Sequence, residues 1–267
     1  MNANQFEARL KSIVQKLQAE FGGSNEYPTS GDLIEEMLLG ILGRDTCDSK
    51  ARDALQRLRR YMVDFNEMRV ATPADIVDAV GPNFPDIQNK ACDLTAALSC
   101  IYDRLETLDW SEFKTRPKRE MDKWLSEIPG IDPYTLGRVM LLCFGGHAVP
   151  VNRPALGWLR REGLFRESVE VAEAQGVLER HVRASDATKV FCLFQRLAEK
   201  LPPAPPAKVK EAPPTRKAKA AVEKTEAATT PGGTDAATAR GNKMAKPPGP
   251  SAKAGTKPRA KRSEGKV

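Results

Sequence analysis

The sequence predicts an all-α fold for its first two hundred residues on three observations. Apolar residues recur at spacings of three and four, capping residues precede the apolar runs, and no alternating strand pattern persists. Phe6, Leu10, Ile13, Val14, Leu17 and Phe21 line one face of a first helix, which Gly22-Gly23 stops. Asp32 is placed to cap a second helix carrying Leu33, Ile34, Met37, Leu38 and Ile41, and Asp48 a third carrying Leu55, Leu58, Met62 and Phe65. Thr72-Pro73-Ala74-Asp75 combines a cap, a proline at the first helical position and an acid in the first turn, and Gly81 ends that short helix. Ile87 to Leu108 reads as a long helix with Ala91, Leu94, Leu98, Ile101 and Leu105 inward. Met121 to Ile128 follows and leads into a hairpin. The last helices are expected over Ala155 to Gly163, Val169 to His181 and Ala187 to Leu201, the last capped by Ser185 or Asp186 and packed through Val190, Phe191, Phe194 and Leu197.

Beyond Leu201 the composition changes. Residues 201–267 contain no aromatic residue, include eleven prolines, and are otherwise mostly Ala, Lys, Gly and Thr. Such a segment cannot bury enough apolar surface to offset the entropy of ordering it, so a disordered tail is expected. It carries 15 Lys or Arg against 5 Asp or Glu, whereas residues 1–200 carry 27 against 30. The basic character of the chain therefore belongs to the tail, and any positive face on the folded part must come from arrangement.

The N-terminal residues Met1 to Leu10 show no secretion signal, and no stretch approaches the roughly 18 apolar residues of a membrane span. No membrane partner is expected. The five cysteines, Cys47, Cys92, Cys100, Cys143 and Cys192, are scattered through predicted helices without the close spacing of a zinc or iron-sulfur site. With only His147 and His181 beside them, no metal and no cofactor is expected. Cys143 and His147 are four residues apart and could pair as an activated thiol, but the apolar run Val139-Met140-Leu141-Leu142 marks Cys143 as core.

The stretch richest in information is Ile128-Pro129-Gly130-Ile131-Asp132-Pro133-Tyr134-Thr135. A helix, a Pro-Gly turn and a second helix place a sharp reversal beside the positive end of a helix dipole, a geometry that suits a phosphate; the same residues also serve an ordinary helical hairpin. In its wider setting the segment resembles the helix-hairpin-helix DNA glycosylase superfamily, which includes endonuclease III and the adenine-specific mismatch glycosylases. Residues 128–135 stand at the hairpin, Phe144-Gly145 at the end of the next helix, and Val149-Pro150-Val151 leads into the catalytic aspartate position. Leu159 to Leu164 resembles the helix end beyond it. Upstream, Asp32-Leu33-Ile34, Leu38-Leu39, Asp45, Lys50-Ala51, Thr72-Pro73 and Asn89-Lys90-Ala91 fall in the family's order.

This resemblance, over roughly residues 28–165, implies an endonuclease III-like two-domain helical fold with DNA in the cleft between the domains. Residues 28–147 form a six-helix domain, residues 1–27 and 148–200 the second domain, and residues 201–267 the tail. Contacts to DNA are expected from Pro129, Gly130, Ile131, Asp132, Tyr134, Thr135 and Arg153, with Leu42 at the position of a base-unstacking wedge.

The resemblance also exposes what is missing. Excision of a base needs a carboxylate to stabilise positive charge on the sugar, and the bifunctional members add an attacking lysine. Those positions hold Asn152 and Tyr134. The helix-two glutamate of adenine-specific members falls at Leu38, with Glu35 and Glu36 nearby, and the four-cysteine cluster signature is absent. A pseudoenzyme that binds duplex, bent or damaged DNA without excision is therefore expected. The alternatives are an active base-excision glycosylase or abasic-site lyase using Glu35, Glu36 or Asp45, and a protein-interaction module.

In the tail, Lys208, Lys210, Arg216, Lys217 and Lys219, then Lys253, Lys257, Arg259, Lys261 and Arg262, are interleaved with Pro and Ala, a composition that resembles linker-histone tails. Each neutralised phosphate would add affinity without reading sequence. The expected location is cytoplasmic, on the nucleoid or chromatin.

Overall fold

The structure is a computed structural model that describes residues 3–22, 27–29, 31–110, 113 and 115–205. The tail residues named above lie outside that range. The described residues fall in one compact unit. Among the described residues there are eleven α-helices and no strand: α1 (Ala3–Phe21), α2 (Leu33–Gly43), α3 (Asp48–Tyr61), α4 (Phe65–Val70), α5 (Pro73–Val80), α6 (Ile87–Leu105), α7 (Lys118–Ser126), α8 (Pro133–Phe144), α9 (Arg153–Arg161), α10 (Val171–His181) and α11 (Ala184–Glu199). No helix among them is long and apolar enough to cross a membrane.

The helical pattern holds, and the boundaries show which local signals prevailed. Asp32 caps α2 through a bond from the Glu35 N–H, and Thr72 and Asp75 form a reciprocal capping box on α5. Asp48 is not a cap: Cys47 holds that position without a side-chain bond, and Asp48 is the first helical residue. The third apolar stripe also splits. Backbone turns extended at Met62, and Asp64 caps a separate short α4 that begins at Phe65. Helix α6 ends at Leu105 because Glu106 adopts a left-handed conformation there. Helix α11 begins at Ala184, upstream of Ser185 and Asp186, so neither caps it.

Helix α2 is the centre of the molecule. It is buried along almost its whole length and packs chiefly against α8 and α3. Gly40 permits that approach, since a Cβ there would stand 2.7 Å from Thr135 Cγ2 on α8. A buried ionic network joins the same helices. Arg138 on α8 donates to Glu36 of α2 from Nε (3.0 Å), to Asp48 of α3 from Nη1 (2.9 Å) and to the Tyr27 hydroxyl from Nη2 (2.9 Å). Burial pushes the Asp48 carboxyl upward, but Arg138 and Arg52 together outweigh it and hold the group below the usual carboxylate range. Glu36 also accepts from Thr29 at 2.7 Å, and Glu35 pairs with Arg59 at 2.8 Å. Both carboxylates of α2 are thus engaged in holding the fold.

Candidate functional site

The α7–α8 turn and the start of α9 are connected through α6 and the α2–α3 connection. In the turn, Gly130 has φ 83°, and a Cβ there would lie 2.7 Å from the Asp93 carbonyl oxygen of α6. Glycine is required by both the backbone angle and the close approach. Asp132 is not in a turn conformation: at φ −91°, ψ 170° it is extended and caps α8. Its Oδ1 accepts from the Thr135 N–H at 2.9 Å and from the Thr135 hydroxyl at 2.6 Å. The Ile131 N–H donates to the Ile128 carbonyl at 3.3 Å, and Pro129 and Pro133 have no N–H. Several donors that could meet an external anion at this helix start are therefore consumed within the protein.

Four residues expected at the surface or in a catalytic pocket are inside. Tyr134 is 1% exposed, its hydroxyl accepting from Gln195 at 3.2 Å and lying 3.5 Å from Arg138 Nη1. Thr135, Leu38 and Leu42 are fully buried, and the Leu42 carbonyl accepts from Lys90 Nζ at 2.8 Å. Leu42 thus does not stand out as a wedge, because α2 is buried along almost its whole length. Pro129 is exposed, Gly130, Ile131 and Asp132 are half-buried, and Arg153 retains 28% of its side-chain surface.

Asn152 caps α9 and is 1% exposed. Its Oδ1 accepts from the Ala155 N–H at 3.1 Å, and its Nδ2 donates to the Thr46 carbonyl at 2.9 Å. Both halves of the amide are used. The next residue continues the contact: the Arg153 N–H donates to the Arg44 carbonyl at 3.0 Å. Residues 44–46 and 152–153 thus run side by side.

Between them lies Asp45, fully buried. Its carboxylate is 2.8 Å from Arg153 Nη1, 3.3 Å from Lys90 Nζ and 3.5 Å from Arg44 Nε. Neither carboxylate oxygen makes an aligned hydrogen bond, so Coulombic attraction dominates. Burial lowers the Lys90 pKa to about 8, against the opposing pull of Asp45. Arg44 reaches on to Asp93 at 2.7 Å, where burial raises the Asp93 carboxyl despite that partner. Arg44 and Asp93 so connect this cluster to the backbone on which Gly130 rests.

The sequence singles out Asn152, Arg153 and the turn as candidates, and Asp45 only as an alternative. It does not single out Arg44, Asp93 or Gln195 as partners. Adjacent Arg44-Asp45 directly after the apolar run of α2 was the available signal, because charges in a short connection beside a buried helix must find partners. Cys143 packs partly buried against the core, and His147 Nε2 meets the Val182 carbonyl at 2.9 Å. Among the described residues no cluster of three or more His, Cys, Asp or Glu is arranged to hold a metal ion.

No protein-family profile matches the chain, and no curated protein matches it by sequence. Solved structures do match. A non-covalent endonuclease III–DNA complex aligns over 81% of this chain and 98% of that one, with a TM-score of 0.55 and 13% identity. The chain has the endonuclease III-like helical fold. An 8-oxoguanine glycosylase/lyase of Clostridium acetobutylicum, in complex with DNA containing cytosine opposite 8-oxoG, aligns over 74% of this chain and 71% of that one (TM-score 0.54, 13% identity). A thermostable thymine-DNA glycosylase aligns over 74% and 87% (TM-score 0.51, 14% identity). At such identities the likeness is one of fold, and the chemistry must be argued from the side chains.

Proposed function

We propose that this protein binds duplex, bent or damaged DNA on a glycosylase scaffold and does not remove a base. In this reading residues 28–147 form one wall of the DNA cleft, residues 1–27 and 148–200 form the other, and the basic tail adds phosphate contacts. The partly exposed guanidinium of Arg153 and the turn at Pro129–Asp132 are the contact points on the body. One observation carries the non-catalytic part. The position where excision would need a free carboxylate holds Asn152, buried and satisfied at both ends of its amide by the protein itself. A buried, neutral amide has no negative charge to set against a positive charge on a sugar. Tyr134, at the lysine position, is likewise enclosed.

Gel retardation tests the binding. Full-length protein should retard a labelled duplex, with Arg153→Gln weakening the complex several-fold; no retardation at micromolar protein and low salt would sink the reading.

A second reading rests on Asp45, which lies beside Asn152 while Glu35 and Glu36 are engaged elsewhere. If Asp45 were the excising carboxylate, base release would occur and Asp45→Asn would abolish it.

A further inference from the structure

The chain does not leave the body when α11 ends. Leu201 to Pro205 run back across the α2–α3 connection to the start of α9. The Ala204 N–H donates to the Asp45 carbonyl at 2.9 Å, and Arg153 Nη1 donates to the Pro205 carbonyl at 3.4 Å. The end of α11 is fixed just upstream, where the Glu199 carboxylate accepts from the Ser49 N–H at 2.9 Å and the Ser49 hydroxyl at 2.5 Å. A cavity lies on each side of this strap, and Pro203 lines both. One, of about 350 Å³, contains Arg153, Arg160 and Arg161 of α9. The other, of about 470 Å³, contains Lys50 and Arg57 of α3 and the α5–α6 connection around Phe84. Asp53, Glu167 and Glu170 are the acids in these linings, so the two hollows are richer in cations than the nearly balanced surface predicted by composition.

We propose that Leu201–Pro205 is an intramolecular occupant of the DNA site, and that a DNA phosphate takes the place of the Pro205 carbonyl on Arg153. The inference rests on the DNA-binding reading above and adds a built-in competitor to it. The strap is suited to being exchanged. Three of its five residues are prolines, which offer no N–H, and beyond Leu201, which packs against the core, the polar contacts described for it are the two named. A guanidinium gains more from a charged phosphate oxygen than from a neutral carbonyl, because charge-assisted hydrogen bonds are about twice as strong. The flanking cations give an extended polyanion somewhere to lie once the strap has moved.

Ala204→Pro tests this, since it deletes the N–H given to Asp45 and touches no cation of the cleft. A second variant with Pro202, Pro203 and Pro205 all changed to Gly loosens the strap by another route and covers failure of the first to fold. Both are made in the full chain. Duplex affinity is measured at a salt concentration high enough to weaken tail contacts, and hydrogen exchange of the Ala204 amide is followed in the wild type with and without saturating duplex. The expected result is an affinity gain of about threefold to tenfold, the worth of one net hydrogen bond, with the Ala204 amide protected in the free protein and exchanging faster on DNA. If wild type and both variants bind equally and the amide stays protected, the strap is a structural tether and the inference is overturned while the DNA-binding reading stands. If none of the three binds DNA, the binding reading itself fails, and the strap's proposed role fails with it. Binding by the opened variants alone would support both.

Discussion

Helices α8 and α9 both begin with a capping side chain followed closely by proline, yet one cap is an aspartate and the other an asparagine. Asp132 accepts from two donors, the N–H and hydroxyl of Thr135, and its negative charge suits the positive end of the α8 dipole. Asn152 faces a donor, the Ala155 N–H, and also an acceptor, the Thr46 carbonyl. A carboxylate could satisfy the first and would be repelled by the second. The amide at 152 is therefore what this packing favours, and an ionised aspartate there would disturb the α2–α3 connection. The two ends differ also in charge. The α8 start is settled by a single local cap, while the α9 start sits on a buried cluster of Asp45, Lys90, Arg44 and Arg153.

The largest expected effect lies in that cluster. Lys90 binds its proton more weakly in the folded chain, at about 8, than at its ordinary 10.5. Between these pH values the unfolded chain holds more protons, so this group makes stability rise with pH across the window, by on the order of 3 kcal/mol at most. Denaturant unfolding from pH 7 to 10.5 should show the rise in the wild type and a flatter profile in Lys90→Met; identical profiles would remove Lys90 as the source.

At the turn, Gly130→Ala combines backbone strain of roughly 1–3 kcal/mol with a contact against Asp93, and its melting temperature should drop clearly. An unchanged melting temperature would contradict the described α6 contact. Asn152→Asp keeps the cap but orphans the Thr46 carbonyl and should cost about 1–3 kcal/mol without producing excision; a stable variant that released base would show that the pocket tolerates a carboxylate after all. The smallest effects belong to the α8 cap. Asp132→Ala should cost about 1 kcal/mol and Asp132→Asn only a few tenths, because a second amide-type cap still accepts from Thr135. If Asp132→Asn instead strengthens duplex binding in gel retardation, its charge was opposing phosphate at the turn.

Much of the fold was legible because its signals are local. Apolar spacing located the helices, and Thr72-Pro73 and Asp32 announced their starts. The turn at Gly130 and the unusual residues at 134 and 152 were visible as well. What escaped was non-local. That α2 is buried on all sides, taking Leu38 and Leu42 out of reach, depends on helices far along the chain. Asp45 and Lys90 are neighbours only in space, and nothing in Leu201-Pro202-Pro203-Ala204-Pro205 says that it returns to Arg153. Asp48 misled because a capping residue type at a helix start can equally be its first residue, here held by Arg138 from ninety residues away.

The central proposal is that this endonuclease III-like fold binds DNA without cutting it. The most direct measurement uses excess full-length protein on end-labelled duplexes carrying an abasic site, an oxidised purine or a mismatch, read in parallel on native gels and on denaturing gels, with alkali applied only to the oxidised-purine and mismatch duplexes because it cleaves an abasic site by itself. The account predicts retarded duplex and an intact labelled strand in every case. A cleaved strand that forms with the wild type and disappears with Asp45→Asn would contradict it and make Asp45 the carboxylate of an active enzyme.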